Sequence, residues 1–287
     1  MLMVEVLKMR EISAKAVTEA VHKLCIQANC TLPEDVKQGI LRSRQCECWP
    51  QAQEILDSII NNFEIADREH MPICQDTGMA CVFVTMGQEV HVEGDLSEAI
   101  QEGVRQGYRE GYLRKSVVRD PLDRVNTGDN TPAVIHYELV PGERLEITVA
   151  PKGFGSENMS AIKMLRPSDG VEGVVEFVVR TVEEAGPNPC PPVIVGVGIG
   201  GTFEKAALLA KKALLRPLDT PNEHPYYREL EERLLEKINA LGIGPQGFGG
   251  KTTALAVNIE TFPTHIAGLP VAVNVGCHVT RHATEVL

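Results

Sequence analysis

The sequence predicts an α+β fold: a helical N-terminal layer followed by mixed, largely antiparallel sheets with packed helices. Apolar residues recur at helical spacing through roughly the first sixty positions. From His70 onward, short β-branched runs bounded by proline and glycine alternate irregularly with helical segments. These runs do not repeat as strand–helix–strand units, which a wheel of parallel strands would require. The 287 residues are read as one domain, with a helical part at about 10–68 and an α+β part at about 70–287.

Taken in order, Ile12, Ala16, Val17, Ala20, Val21 and Leu24 form one stripe of a first helix. Thr31-Leu32-Pro33-Glu34 has the form of a capping box with proline in the first turn, so a second helix is expected to start there. A third follows Trp49-Pro50, with Ile55, Leu56, Ile59, Ile60 and Phe63 on one face. The stretch from His70 to Gly78 reads as a turn-rich loop, and Met79 to Met86 behind it as a buried strand. A helix near Leu96 to Tyr112 leads into the polar segment Leu113 to Asn130. Val134 to Val140 and Leu145 to Val149 flank Pro141-Gly142 and predict a β-hairpin. Further helices are expected near Val171 to Glu184, Phe203 to Leu215 and Tyr226 to Leu241. Strands are expected at Val193 to Val197, Leu255 to Ile259 and Val271 to Val275.

Composition narrows the function classes. With 43% hydrophobic and 23% charged residues the chain has the balance of a soluble globular protein. No apolar run approaches the ~20 residues of a membrane span. The start, Met1 to Arg10, lacks a small-residue cleavage site and is not read as a signal peptide. A net charge of −11 argues against a nucleic-acid partner. It leaves room for a small anionic substrate in a local cationic pocket. Eight cysteines without a secretion signal imply thiols kept reduced in the cytoplasm.

Two glycine motifs invite a nucleotide-binding reading, the rival from another class. Gly196-Val197-Gly198-Ile199-Gly200-Gly201 fits the dinucleotide pattern after a strand. The required second strand ending in an acid is missing, since Arg216-Pro217-Leu218-Asp219-Thr220-Pro221 is a turn. These glycines serve either close strand–helix packing or, as the favoured reading, approach of the backbone to a small site. Gly244-Pro245-Gln246-Gly247-Phe248-Gly249-Gly250-Lys251-Thr252 looks like a P-loop, but Pro245 stands where the pattern needs glycine. It follows a helix, so a C-cap with Gly242 in the left-handed conformation is the simpler reading.

The cysteines divide by setting. Cys25, Cys30, Cys46 and Cys81 are expected to be buried small hydrophobes, and no C-x-x-C pair supports a zinc ribbon. Cys74, Cys190 and Cys277 each sit at a loop–strand junction beside proline or glycine. Loop ends at one edge of a sheet can converge, and thiolates suit iron–sulfur clusters. Three thiolates instead of four would leave one iron open as a Lewis acid. Taken alone, this spacing leaves open a non-catalytic scaffold whose cysteines are merely buried.

At these same residues the sequence resembles a known family. Pro72-Ile73-Cys74-Gln75-Asp76-Thr77-Gly78, Lys152-Gly153-Phe154-Gly155-Ser156, Cys190-Pro191-Pro192, Gly247-Phe248-Gly249-Gly250-Lys251 and Gly276-Cys277 carry the likeness. They are similar to the class I, iron–sulfur fumarate hydratases and their relatives the L-tartrate dehydratases, in order from about Arg10 to the C-terminus. The resemblance implies a [4Fe–4S] cluster held by Cys74, Cys190 and Cys277, with the fourth iron free for substrate. It places Gln75 and Asp76 beside the cluster, Arg114 and Gly155 against a dicarboxylate, and His265, twelve residues before Cys277, in the site. A chain ending soon after Cys277 is similar to the separate alpha subunit of two-subunit forms. A separate beta subunit would then complete the active site, in a heterotetramer of two alpha and two beta chains. The implied reaction is the reversible hydration of fumarate to (S)-malate, with dehydration of L-tartrate to oxaloacetate as the alternative.

Residue chemistry agrees. Water addition across a dicarboxylate's double bond needs a sink for charge on one carboxylate and a group to exchange the carbon-bound proton. Asp76 is the candidate for that exchange, the fork of Arg114 suits a planar carboxylate, and the resemblance adds His265 as a second catalytic candidate. The plainer readings stand beside these. Arg114 would be a solvated cation at a helix end, His265 a satisfied core or turn histidine, and Asp76 a cap on the Thr77-Gly78 turn.

Overall fold

The computed structural model describes residues 9–287; the rest of the Met1 to Arg10 start lies outside the described residues. By its contacts the chain sorts into two units, each assembled from separate stretches. The first takes the described residues up to Thr31, then Ala66–Gly153 and Arg281–Leu287; the second takes Leu32–Ile65 and Phe154–Thr280. The architecture is α+β, as predicted, with both parallel and antiparallel strand pairs in its sheets.

In the first unit, β1 (Arg10–Ser13) pairs in parallel with β3 (Val90–Glu93). Ser13 then caps α1 (Ala14–Cys30), its hydroxyl accepting the Ala16 N–H at 3.2 Å. Ile12 therefore belongs to the strand and not to the helical stripe in which its spacing placed it. Asp95 caps α4 (Leu96–Glu110) by accepting the Glu98 N–H at 2.9 Å. Val17, Val21 and Leu24 of α1 join Ile100, Val104 and Tyr108 of α4 in one buried core.

That core continues onto a sheet of order β10–β5–β2–β4, made of β10 (Ala283–Val286), β5 (Leu145–Lys152), β2 (Met79–Gly87) and β4 (Val134–Val140). The expected hairpin does not form. β2 lies between its two arms, parallel to β4 and antiparallel to β5. The reason is burial: Ala80 to Val84 are buried without interruption, so β2 needs a hydrogen-bonding neighbour on each side. No residue of β4 is fully buried, and it takes the edge.

In the second unit, α2 (Glu34–Cys46) begins without a side-chain cap. The predicted capping box is absent because the Thr31 hydroxyl, in the first unit, donates to Asp67 Oδ1 at 2.8 Å instead. α3 (Pro50–Glu69) starts in this unit and ends in the first, burying Leu56, Ile59 and Phe63 as expected, with Ile55 and Ile60 only half-buried. A sheet of order β6–β9–β7–β8 is built from β6 (Ala161–Leu165), β9 (Leu269–Gly276), β7 (Val193–Gly200) and β8 (Ala254–Phe262). Around it pack α6 (Gly170–Ala185), α7 (Phe203–Ala213) and α8 (Pro225–Asn239). A short α5 (Phe154–Glu157) precedes β6.

The first glycine motif lies within β7 as far as Gly200, with only Gly201 beyond the strand. A Cβ at Gly196 would come within 2.1 Å of the Ala210 carbonyl oxygen, and one at Gly198 within 2.1 Å of that of Ala206. These glycines let the α7 backbone ride directly on the strand. Packing accounts for them, in place of the approach to a small site that was favoured. Among the described residues no helix is long and apolar enough to cross a membrane.

Candidate active site

The loop before β2 is tied to the rest of the first unit by hydrogen bonds from several elements. The Ile73 N–H donates to the Asn29 carbonyl at 2.9 Å, anchoring the loop to the end of α1. The Thr77 hydroxyl donates to the Arg114 carbonyl at 3.0 Å. The buried Tyr108 hydroxyl lies 2.8 Å from the Thr77 carbonyl oxygen and 3.1 Å from that of Gly78, so its single proton is shared between two acceptors. Burial pushes that phenol well above its usual range, which keeps it a donor. Asn130 Nδ2 adds a bond to the Gly78 carbonyl at 3.1 Å, and Arg281 Nη2 donates to the Asp76 carbonyl at 2.5 Å.

These ties fix how Cys74, Gln75 and Asp76 are presented. The Asp76 N–H donates to Cys74 Sγ at 3.4 Å, and the Cys74 thiol donates to Gln75 Oε1 at 3.5 Å, so both neighbours fix the sulfur. Asp76 Oδ1 accepts the Gly78 N–H at 3.0 Å, so the turn-capping reading holds for that oxygen. Oδ2 lies over Gly153, where an added Cβ would stand 2.9 Å from it. Gln75 is exposed, and Arg114 is exposed with its backbone pinned to Thr77.

In the second unit, Cys190 precedes β7 and Cys277 follows β9. The strands run antiparallel with Ile194 opposite Gly276, which puts both cysteines at one end of the sheet. The Cys190 carbonyl accepts from the His278 N–H at 3.3 Å and, in the tautomer protonated at Nδ1, from that nitrogen at 2.9 Å; Gln246 Nε2 stands 3.2 Å from the same nitrogen. Cys190 sits at φ 54°, a left-handed conformation uncommon for a residue with a side chain. The Gln246 backbone N–H and Nε2 both donate to the Pro191 carbonyl at 2.8 Å. The second glycine motif thus folds against the Cys190 loop.

That motif does not form a phosphate cradle, because its amide is taken. The Lys251 N–H donates to Glu47 Oε2 at 2.7 Å, while Oε1 accepts from Cys48 and Trp49 at 2.9 and 3.0 Å. Burial would raise the Glu47 carboxyl, but the backbone donors of Trp49, Lys251 and Cys48 outweigh it and hold it below the usual range. A resident carboxylate occupies the place a phosphate would need. Gly242 is left-handed at φ 66°, as the C-cap reading requires.

Among the eight cysteines, Cys25, Cys30 and Cys81 are buried as expected. Cys46 is exposed, contrary to expectation, because α2 ends there and its last turn is not covered. Burial pushes the Cys25 thiol up to about 12, which makes it a poor ligand. Cys74 and Cys277 are half-buried and Cys190 exposed, the setting a thiolate ligand needs. Among the described residues no three His, Cys, Asp or Glu side chains gather around a single-ion position. A cubane spreads its thiolates over separate corners, and each of the three donors is of the kind it takes.

His265 stands apart from the cysteine pair. It lies in the β8–β9 turn, exposed, with Nδ1 accepting the Ala267 N–H at 3.2 Å. The eight residues of β9 separate it from Cys277, roughly 26 Å of extended strand at ~3.3 Å per residue. Gly155, in α5, is exposed, and an added Cβ would meet only the Asn188 carbonyl at 3.8 Å. Sequence reasoning missed Tyr108, Asn130, Arg281, His278 and Glu47, which hold the loops and are not themselves in a motif. Only His278, beside Cys277, carried a positional signal.

Comparison with known proteins identifies the family. The family model described as fumarate hydratase (Fumerase) matches residues 18–286. A Methanocaldococcus jannaschii protein provisionally named L(+)-tartrate dehydratase subunit alpha is 43% identical over 276 residues, covering 94% of this chain and 96% of that protein. The L(+)-tartrate dehydratase subunit alpha of Escherichia coli K12 and that of Shigella sonnei are each 35% identical over 271 residues, covering 93% of this chain and 89% of theirs. With a match that runs through both units and spans Cys74, Cys190 and Cys277, the chain belongs to the fumarate hydratase (Fumerase) family of hydro-lyases.

Proposed function

We propose that this chain is the alpha subunit of a cytoplasmic hydro-lyase that reversibly hydrates fumarate to (S)-malate, acting with a separate beta subunit in an assembly of two alpha and two beta chains. The tied loop of Cys74, Gln75 and Asp76 is the observation that carries it, because one rigid segment presents a thiol, an amide and a carboxylate together. Cys74, Cys190 and Cys277 are the proposed thiolate ligands of a [4Fe–4S] cluster. When bound, that group supplies a Lewis acid for a substrate carboxylate and hydroxyl. Asp76 exchanges the proton at the substrate carbon, directly or through a hydroxyl of the beta subunit. Arg114 clamps a carboxylate with its fork, and Gln75 donates its amide beside it. Gly155 lets backbone approach the substrate, since nothing projects from it. His265, an exposed imidazole in the turn before β9, is the second proposed catalytic residue.

The second reading is L-tartrate dehydration to oxaloacetate, favoured by the names of the relatives. The hydroxy acids of the two reactions, (S)-malate and L-tartrate, differ by one hydroxyl, and the Gln75-Asp76-Thr77-Gly78 form leans toward fumarate. Co-expression with a candidate beta chain, anaerobic reconstitution and side-by-side assay tests both. Fumarate hydration at a higher kcat/KM is expected. Turnover of L-tartrate alone would replace the first reading with the second, and turnover of neither would sink both.

A further inference from the structure

We propose that Arg281 is a positioning residue for the Cys74–Gly78 loop: its guanidinium fixes the Asp76 peptide, and through it the aim of the Asp76 carboxylate and of the Cys74 sulfur. Arg281 follows Cys277 by four residues and is only 5% exposed. Its Nη2 donates to the Asp76 carbonyl at 2.5 Å. Among the described residues it makes no ion pair, and its buried Nε has no hydrogen-bond partner.

A buried guanidinium without a carboxylate is costly, because little in its surroundings replaces water around the charge. A purely structural tie would be met more cheaply by a neutral donor. Neutral donors do hold the rest of the loop: Tyr108 serves Thr77 and Gly78, Asn130 serves Gly78, and the Ile73 N–H reaches Asn29. The charged donor is reserved for Asp76. That residue also gives its N–H to Cys74 Sγ, so the Asp76 backbone joins the candidate acid to the candidate ligand. A charged donor holds the Asp76 carbonyl more firmly than a neutral one would, and so orders the peptide whose N–H reaches the sulfur.

The kinetic arm of the test rests on the hydro-lyase reading; the exchange arm does not. Amide hydrogen exchange on the full chain is compared for wild type, Arg281→Met and Arg281→Lys. In Arg281→Met the amides of residues 74–78 are expected to exchange about tenfold faster while those shared by β2 and β5 keep their rates. In the reconstituted complex with the beta subunit, the same variant is expected to lose about a hundredfold in kcat with KM little changed. Arg281→Lys, which keeps charge and donor, recovers part of both and serves where the methionine variant does not fold. Wild-type exchange at residues 74–78 in both variants would overturn the proposal. Equal acceleration of loop and sheet would too, as would a rise in KM alone. A wild-type complex that turns over neither fumarate nor L-tartrate would remove the hydro-lyase reading, and the exchange rates would still decide the role of Arg281.

Discussion

The carbonyl oxygen of Cys190 accepts two hydrogen bonds from one residue, His278, through the imidazole Nδ1 at 2.9 Å and the backbone N–H at 3.3 Å. The pair ties the loop before β7 to the turn after β9, and it does so at a residue held in a left-handed conformation. Replacing His278 by alanine removes the imidazole bond and leaves the backbone bond. His278→Ala is expected to cost about 1 kcal/mol in urea unfolding, the usual net value of one hydrogen bond. An unchanged midpoint would show that the imidazole bond adds nothing in solution.

Glu47 should make the fold acid-sensitive in a defined direction. Its carboxyl is held below the ordinary value of 4.5, because three backbone donors outweigh its burial. A depressed folded value means that the stabilisation is complete above 4.5 and is lost as pH falls through the folded value. Glu47→Gln is expected to cost about 2 kcal/mol at pH 7, since bonds to a charged acceptor are lost. The gap from wild type should narrow below the ordinary carboxylate range. A gap independent of pH between 7 and 3, measured by denaturant titration in steps of ~0.5 pH, would mean that the carboxylate charge is not what holds Lys251.

Three glycines separate packing from function. Gly196→Ala and Gly198→Ala each drive a methyl into a helix carbonyl of α7 that has no room to move, so each is expected to cost about 3 kcal/mol or to prevent folding. Gly155→Ala faces open space, and its unfolding midpoint should stay within about 0.5 kcal/mol of wild type. In the reconstituted enzyme the added methyl should raise KM for the dicarboxylate with kcat little changed. A Gly155→Ala enzyme with wild-type KM would remove Gly155 from the substrate contacts.

Much of this was legible in the sequence, for physical reasons that also explain the failures. Stripes such as Val17, Val21 and Leu24 predict helices well because burial on one face demands that period. The run from Met79 to Met86 predicts a buried strand, but nothing local tells that it sits between β4 and β5, since partner choice depends on the burial of all three strands. Gly196 and Gly198 matched a nucleotide motif because close strand–helix packing and phosphate approach need the same missing side chain. Cys74, Cys190 and Cys277 stood out by their loop–strand settings. The residues that hold those loops did not, because Tyr108, Arg281 and Glu47 act from far along the chain on backbone groups that any sequence carries.

The central claim is that Cys74, Cys190 and Cys277 hold one iron–sulfur cluster, and iron and acid-labile sulfide content after anaerobic reconstitution tests it most directly. Wild type and Cys46→Ser are predicted to carry equal amounts of iron and sulfide with a broad visible absorbance that fades in air. Cys74→Ser, Cys190→Ser and Cys277→Ser are each predicted to lose that content. Wild-type iron and sulfide in any of those three, or their loss in Cys46→Ser, would contradict the ligand assignment.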